Sequence, residues 1–280
     1  MAAVNGVNLH YVIAGSGPLV VLLHGFPEFW YSWRHQIEPL AQRHTVVALD
    51  QRGYNHSSKP AAVADYALEQ LVEDVRALIR HLGHTHAVIV GHDWGGVVAW
   101  AFAMRYPLVT LRLAVLNLPH PRLMRKALLS NPRQMLRSWY AAAFQIPKLP
   151  EWLMERGRYG LLTRSFTSWV SRSNVFTPAD LELYRQAWSQ PGALTAMVNW
   201  YRAFRFSKNF YATVPEIISV PTLLIWGTAD KALGQELTYG TERYVSDLRV
   251  RYLNGISHWV QQEAPDEVNA LLVPFVRGEW

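Results

Sequence analysis

Gly91-His92-Asp93-Trp94-Gly95-Gly96 decides the fold of this chain, because it joins a strand-like run to a helix-like run through a turn dense in small residues. Upstream, His86-Ala87-Val88-Ile89-Val90 has the apolar continuity of a short buried strand; downstream, 97–105 reads as helix. The glycines flanking Asp93 permit a tight strand-to-helix turn and close packing. Such a turn lifts the Asp93 carboxylate above the sheet edge, beside N–H groups that favour negative charge. Elbows of this form commonly present a serine hydroxyl, so a carboxylate narrows the chemistry. Attack on an acyl carbon would give an anhydride no more stable than its precursor. Attack on a saturated carbon that carries its own leaving group, a strained epoxide oxygen or a halide, gives an ester that water can cleave. Aspartate is also a favoured helix cap, but capping needs neither glycines on both sides nor partners elsewhere in the chain.

Partners are present in the order such an elbow requires, nucleophile, then acid, then histidine, each at the end of a later strand. The apolar run 221–226 (PTLLIW) ends in Gly227-Thr228-Ala229-Asp230, and the run 248–253 ends in Asn254-Gly255-Ile256-Ser257-His258. Asp230 is expected to orient and polarise His258, and His258 to deprotonate a water. Taken singly they also read as a turn aspartate and a surface histidine. Upstream, 19–23 (LVVLL) runs into His24-Gly25-Phe26-Pro27-Glu28, and the backbone N–H groups of Phe26 and Trp94 are the candidate oxyanion hole. A tight turn must aim the Phe26 N–H inward; the sequence leaves open whether Pro27 is cis.

Strand-like runs at 19–25, 44–50, 86–92, 111–118, 221–226 and 248–253 alternate with helical stretches at 67–82, 95–105 and 266–276. That alternation predicts an α/β fold with a mainly parallel sheet flanked by helices. Asp93, Asp230 and His258 all fall at C-terminal strand ends, where open α/β sheets bind ligands. Between 120 and 212 helical stripes replace the strand pattern, so a core of 1–119 and 213–280 is expected to carry an inserted helical lid, 120–212. Asn131-Pro132 signals a helix start, followed by Met135, Leu136, Trp139, Tyr140 and Ala143 at helical spacing. Leu194, Met197, Val198 and Tyr201 form a second stripe. Each places a phenol on an apolar face, where its hydroxyl needs a partner; plain core packing is the alternative. Trp139, Trp152, Trp169, Trp188 and Trp200 all fall in the lid and are expected to shape an apolar tunnel.

The strings HGFPEFWYSWRHQI (24–37), DQRGYNHSSKP (50–60), GHDWGG (91–96) and NWYR (199–202) resemble the epoxide hydrolases of the α/β-hydrolase fold, over nearly the whole chain. The resemblance implies that Tyr140, shortly before Phe144-Gln145, and Tyr201, in Asn-Trp-Tyr-Arg, hold and protonate an epoxide oxygen. It further implies opening of the ring by Asp93 and hydrolysis of the ester by water activated by His258 and Asp230, yielding a vicinal diol. Glu28, with His24 and Pro27 beside it, is implied at the substrate and water side of the site. The chain departs from the family at Asn55, where glycine is usual; as a loop position it is expected to matter little to the chemistry.

Haloalkane dehalogenases share the Asp-His-Asp set. Halide stabilisation needs two N–H donors, and where an asparagine commonly supplies the second, this chain has Phe26. A non-catalytic ligand-binding protein on the same fold is a further alternative. The net charge of +6 comes from Lys and Arg spread along the chain, densest at 122–137 among apolar stripes, which reads as a solvated lid surface, not a nucleic-acid site. His81, His84 and His86 lack the added ligands of a metal site, and no cofactor is implied. No apolar run reaches membrane-spanning length and no leader is visible, so a cytoplasmic protein without a membrane partner is expected; zero cysteines agree. The expected partners are a small hydrophobic epoxide and water. Oligomeric state is not readable.

Overall fold

Runs of apolar residues at 19–23, 87–92 and 222–227 are buried along their whole length, because the sheet they form is covered on both faces. The computed structural model describes all residues except Lys208 and Trp280. A hairpin of β1 (Ala2–Val4) and β2 (Val7–Leu9) precedes a seven-stranded sheet. Its strands are β3 (Tyr11–Ala14), β4 (Leu19–Leu23), β5 (Thr45–Leu49), β6 (Ala87–His92), β7 (Thr110–Leu116), β8 (Thr222–Gly227) and β9 (Leu248–Leu253), in spatial order β3-β5-β4-β6-β7-β8-β9. Only β3 runs antiparallel, against β5. The sequence pattern did not mark β1 to β3, which at three or four residues are too short to show a period.

Alternation along the strands sorts the core into two layers. Val21, Ile89, Val115 and Leu224 face helices Leu68–His81 and Trp94–Arg105, whereas Val20, Val88, Ala114 and Ile225 face helices Arg34–Ala41 and Pro265–Arg277. Strand order reverses at β4: the chain leaves it toward β5 and returns to pair β6 on its other edge. Loops therefore depart in opposite directions from the C-terminal ends of β4 and β6, opening a crevice in which ligands of open α/β sheets bind.

Between β7 and β8 the chain is helical: Pro121–Ser130, Pro132–Arg137, Trp139–Ala143, Leu149–Trp169 (broken by a kink at 156–159), Pro178–Trp188 and Ala193–Ala203. Asn131 caps the second of these by accepting from the Arg133 and Gln134 N–H groups, with Pro132 at the first helical position. Thr177 and Asp180 close a capping box on Pro178–Trp188. The expected inward stripe at 135–143 is corrected in part. The helix breaks at Ser138, and its buried residue is Gln134, whose amide bonds the Ala232 carbonyl and the Gly234 N–H, leaving Met135, Leu136 and Trp139 exposed. The tunnel expectation changes likewise. Trp188 and Trp200 are buried, and their indoles donate to the core carbonyls of Pro27 (2.6 Å) and Arg52 (2.9 Å), while Trp139 and Trp152 are exposed. An indole N–H must find an acceptor when buried, so these two rings clasp the inserted helices to the sheet end. No helix among the described residues is long and apolar enough to cross a membrane.

Candidate active site

Asp93 stands between the end of β6 and the start of helix Trp94–Arg105 with φ of 49°, a conformation that costs a non-glycine residue energy and here aims the carboxylate into the crevice. The surrounding glycines make room for it. A Cβ on Gly25 would fall 2.5 Å from that of Asp93, and one on Gly95 would fall 2.1 Å from the Leu23 carbonyl oxygen. The two carboxylate oxygens are differently engaged. Oδ1 accepts the Phe26 N–H at 2.9 Å, while Oδ2 faces His258 Nε2 at 3.5 Å. The Trp94 N–H belongs to the first turn of its helix, where N–H groups have no intrahelical acceptor.

His258 Nδ1 lies 2.7 Å from Asp230 Oδ2. Asp230 is itself fixed: Oδ1 accepts the N–H groups of Ala232 (2.7 Å) and Leu233 (2.9 Å), and Oδ2 also accepts from Asn117 Nδ2 at 2.6 Å. Burial disfavours charge on His258, but the Asp230 and Asp93 carboxylates overcome it and raise its pKa from 6.5 to about 10. Burial likewise works against charge on Asp93, and the hydrogen bond and charge of His258 outweigh it, so the Asp93 pKa is lowered. At neutral pH the resting site holds an ionised Asp93 against an imidazolium.

Asn117, missed from the sequence, ties the acid in place. It sits in a left-handed conformation (φ 43°) just beyond β7, fully buried, donating to Asp230 and accepting from the Gly227 N–H at 2.9 Å. The only available signal was an asparagine at the end of the strand-like run 111–118, which names no partner. Asn117→Ala strands the Gly227 N–H and removes one donor from Asp230, and is expected to lower unfolding free energy by about 1–3 kcal/mol in urea titration.

Glu28 is buried and surrounded by donors. Oε2 accepts from the Gly25 N–H (3.0 Å) and lies 2.7 Å from His92 Nδ1; Oε1 accepts from Gln261 (3.1 Å) and Gln262 (2.7 Å). His92 Nε2 in turn reaches the His258 carbonyl at 2.9 Å. Glu28 thus couples the turn carrying the Phe26 N–H to the segment carrying His258. His24 departs from its expected place on the substrate side. It is buried, with Nδ1 on the Gly25 carbonyl and Nε2 accepting the Gln51 N–H, so both ring nitrogens brace backbone, and burial lowers its pKa. The Phe26-Pro27 peptide is cis. Asn55 adopts φ of 41°, which asparagine tolerates better than most residues, and its amide donates to Asp50 at 2.8 Å, explaining how it stands where glycine is usual.

Above Asp93, Tyr140 and Tyr201 approach with ring centroids 6.1 Å apart. Tyr201 packs against Phe26, Trp94 and Phe144. Burial is the main cause raising both phenol pKa values. The Asp93 charge adds to it in both, so they stay protonated and can only donate to an anionic oxygen between them. Among the described residues no group of three His, Cys, Asp or Glu side chains is placed to hold a metal ion.

Residues 18–265 match the family model described as alpha/beta hydrolase fold. The chain is 41% identical over 278 residues to the AB hydrolase superfamily protein YfhM of Bacillus subtilis, covering 98% of this chain and 96% of that one. It is 40% identical to mouse Epoxide hydrolase 4, covering 98% of this chain and 78% of the relative. A point mutant of an epoxide hydrolase from Bacillus megaterium, solved with its product (R)-3-[1]naphthyloxy-propane-1,2-diol, superposes with a TM-score of 0.89 at 35% identity, covering 98% of both chains. With the elbow, the sheet and the inserted helices in place, this protein belongs to the epoxide hydrolase family of the α/β-hydrolase fold.

Proposed function

We propose that the protein converts hydrophobic epoxides to vicinal diols through an alkyl ester on Asp93. The observation that carries this reading is the division of labour on one carboxylate: Oδ1 is held by the Phe26 N–H, and Oδ2 is left facing the site beneath two protonated phenols. Oδ2 attacks an epoxide carbon, the C–O bond of the ring breaks, and the oxygen takes its proton from Tyr140 or Tyr201. The phenolate recovers a proton from His258, whose charge is no longer supported by Asp93. Neutral His258 then removes a proton from water, which attacks the ester carbonyl; the oxyanion forms on Oδ1, at the N–H groups of Phe26 and Trp94. Collapse expels the alkoxide, which takes the remaining proton of the water and leaves as the diol. Asp93 and His258 return to their charged resting forms.

In this reading residues 120–212 act as a cap on a core of 1–119 and 213–280, closing an aromatic wall of Phe26, Trp94 and Phe144 around the substrate. Glu28 and Pro27 position the turn and water side of the site. Dehalogenation is less well served, because Phe26 stands where a second N–H donor to halide would be needed. Product analysis with styrene oxide and with a 1-haloalkane tests the assignment. Diol without halide release is expected; halide release without diol overturns it.

The same electrostatics fix a pH dependence. Resting His258 titrates at about 10 because two carboxylates support its charge; esterification neutralises one of them while burial persists. Ester hydrolysis needs the neutral base, so in single-turnover stopped-flow work its rate is expected to rise with pH through an inflection well below that value. Ring opening takes its proton from Tyr140 or Tyr201 and needs no base, so its rate is expected to vary with pH much less steeply.

A further inference from the structure

The positive charge of this protein is concentrated in one stretch of the inserted helices. Residues 121–170 carry nine Lys and Arg against two Asp and Glu, whereas the rest of the chain carries 18 against 19. The same stretch turns apolar side chains outward. Between 128 and 153 nine large hydrophobic residues are exposed, Leu129 at 76%, Leu136 at 75% and Trp139 at 65% the most. Cations are interleaved with them: Arg125, Lys126 and Arg133 are exposed, and the Arg156 guanidinium lies 3.7 Å from the centroid of the exposed Trp152 ring. The burial of Gln134 explains the orientation, since it holds helix Pro132–Arg137 to the Ala232–Gly234 backbone by its polar side and leaves the apolar side to solvent.

Large apolar side chains turned to solvent along successive helices point to an interaction site, and the charge around them selects the occupant. Arg122 and Arg158 are paired with Glu216 and Glu182, but Arg125, Lys126 and Arg133 leave the face net cationic, so a second copy of it would bring like charges together. A nucleic acid would pair with the cations but leave Leu129, Leu136 and Trp139 without an apolar phase. An anionic bilayer serves both, with leucine and tryptophan entering the headgroup boundary and arginine and lysine remaining among the lipid phosphates. We propose that the outer face of helices Pro121–Ser130, Pro132–Arg137 and Trp139–Ala143 docks on an anionic lipid surface. This replaces the expectation of no membrane partner with peripheral attachment. Tyr140 follows Trp139 directly, so docking would set the cap phenol next to the lipid from which hydrophobic epoxides partition; that consequence rests on the proposed function, whereas the docking does not.

Flotation of the whole protein with vesicles of phosphatidylcholine, alone or containing about 30% phosphatidylglycerol, tests the proposal. Partitioning at least about tenfold stronger onto the anionic vesicles, weakened by salt, is expected. The paired substitutions Leu129→Gln with Leu136→Gln, and Arg125→Glu with Arg133→Glu, are each expected to lower it about tenfold while turnover of a water-soluble epoxide is retained, which certifies folding. Equal partitioning onto both vesicles, none onto either, retention on duplex DNA in place of vesicles, or a concentration-dependent dimer abolished by the leucine substitutions overturns it. Loss of epoxide turnover in the wild type would overturn the proposed function and leave the vesicle result standing.

Discussion

Replacing Asp93 by alanine is expected to lower kcat/KM for epoxide hydrolysis by at least about 10⁴-fold, because no other group in the site can form the covalent bond. The phenols would still hold the epoxide, but water would have to open the ring against an unassisted barrier. The substitution also removes a carboxylate that supports charge on His258, so the histidine pKa should fall from about 10, a shift that NMR titration of the ring would record. That second readout separates loss of the nucleophile from loss of the fold. A variant that retained more than a hundredth of wild-type turnover would place the nucleophile elsewhere.

The second large effect is expected at His258. Asp93 needs no base in order to attack, so His258→Gln should open one epoxide per protein molecule and then stall. Turnover should fall by about 10³-fold or more while the intact protein gains the mass of one substrate. Digestion should place the adduct on the peptide containing Asp93. Asp230→Asn is expected to act in the same direction but less severely, since the Ala232 and Leu233 N–H groups would continue to hold its side-chain oxygen. Unmodified protein after exposure to epoxide would argue against a base that acts only in the second step.

Much of the fold was legible because its signals are local. Burial on both faces makes β4, β6 and β8 continuous apolar runs, and the chemistry-bearing residues Asp93, Asp230 and His258 follow strand-like runs directly, so chain order alone placed them at one edge of the sheet. What could not be read depends on contacts between distant segments. Asn117 and Asp230 are 113 residues apart, and the Glu28 carboxylate draws donors from as far as Gln262; no short-range pattern couples them. Helical periodicity at 131–143 defined a stripe without saying which side meets the core. The side that meets the core is that of Gln134, whose amide is satisfied by the 232–234 backbone, a pairing across about 100 residues that no local period signals. Trp188 and Trp200 went inward with acceptors for their indole N–H groups, while Trp139 stayed outside, and the sequence marked no difference between them.

The alkyl-aspartyl intermediate is tested most directly by a single turnover of wild-type protein, in excess over epoxide, in water enriched in ¹⁸O. Water attacks the ester carbonyl and the oxygen bonded to substrate carbon is one that Asp93 supplied. The account therefore predicts diol free of label from the first turnover and one ¹⁸O atom in the Asp93 carboxylate. Label in the diol at the first turnover, with Asp93 unlabelled, would mean that water opens the ring itself and would contradict it.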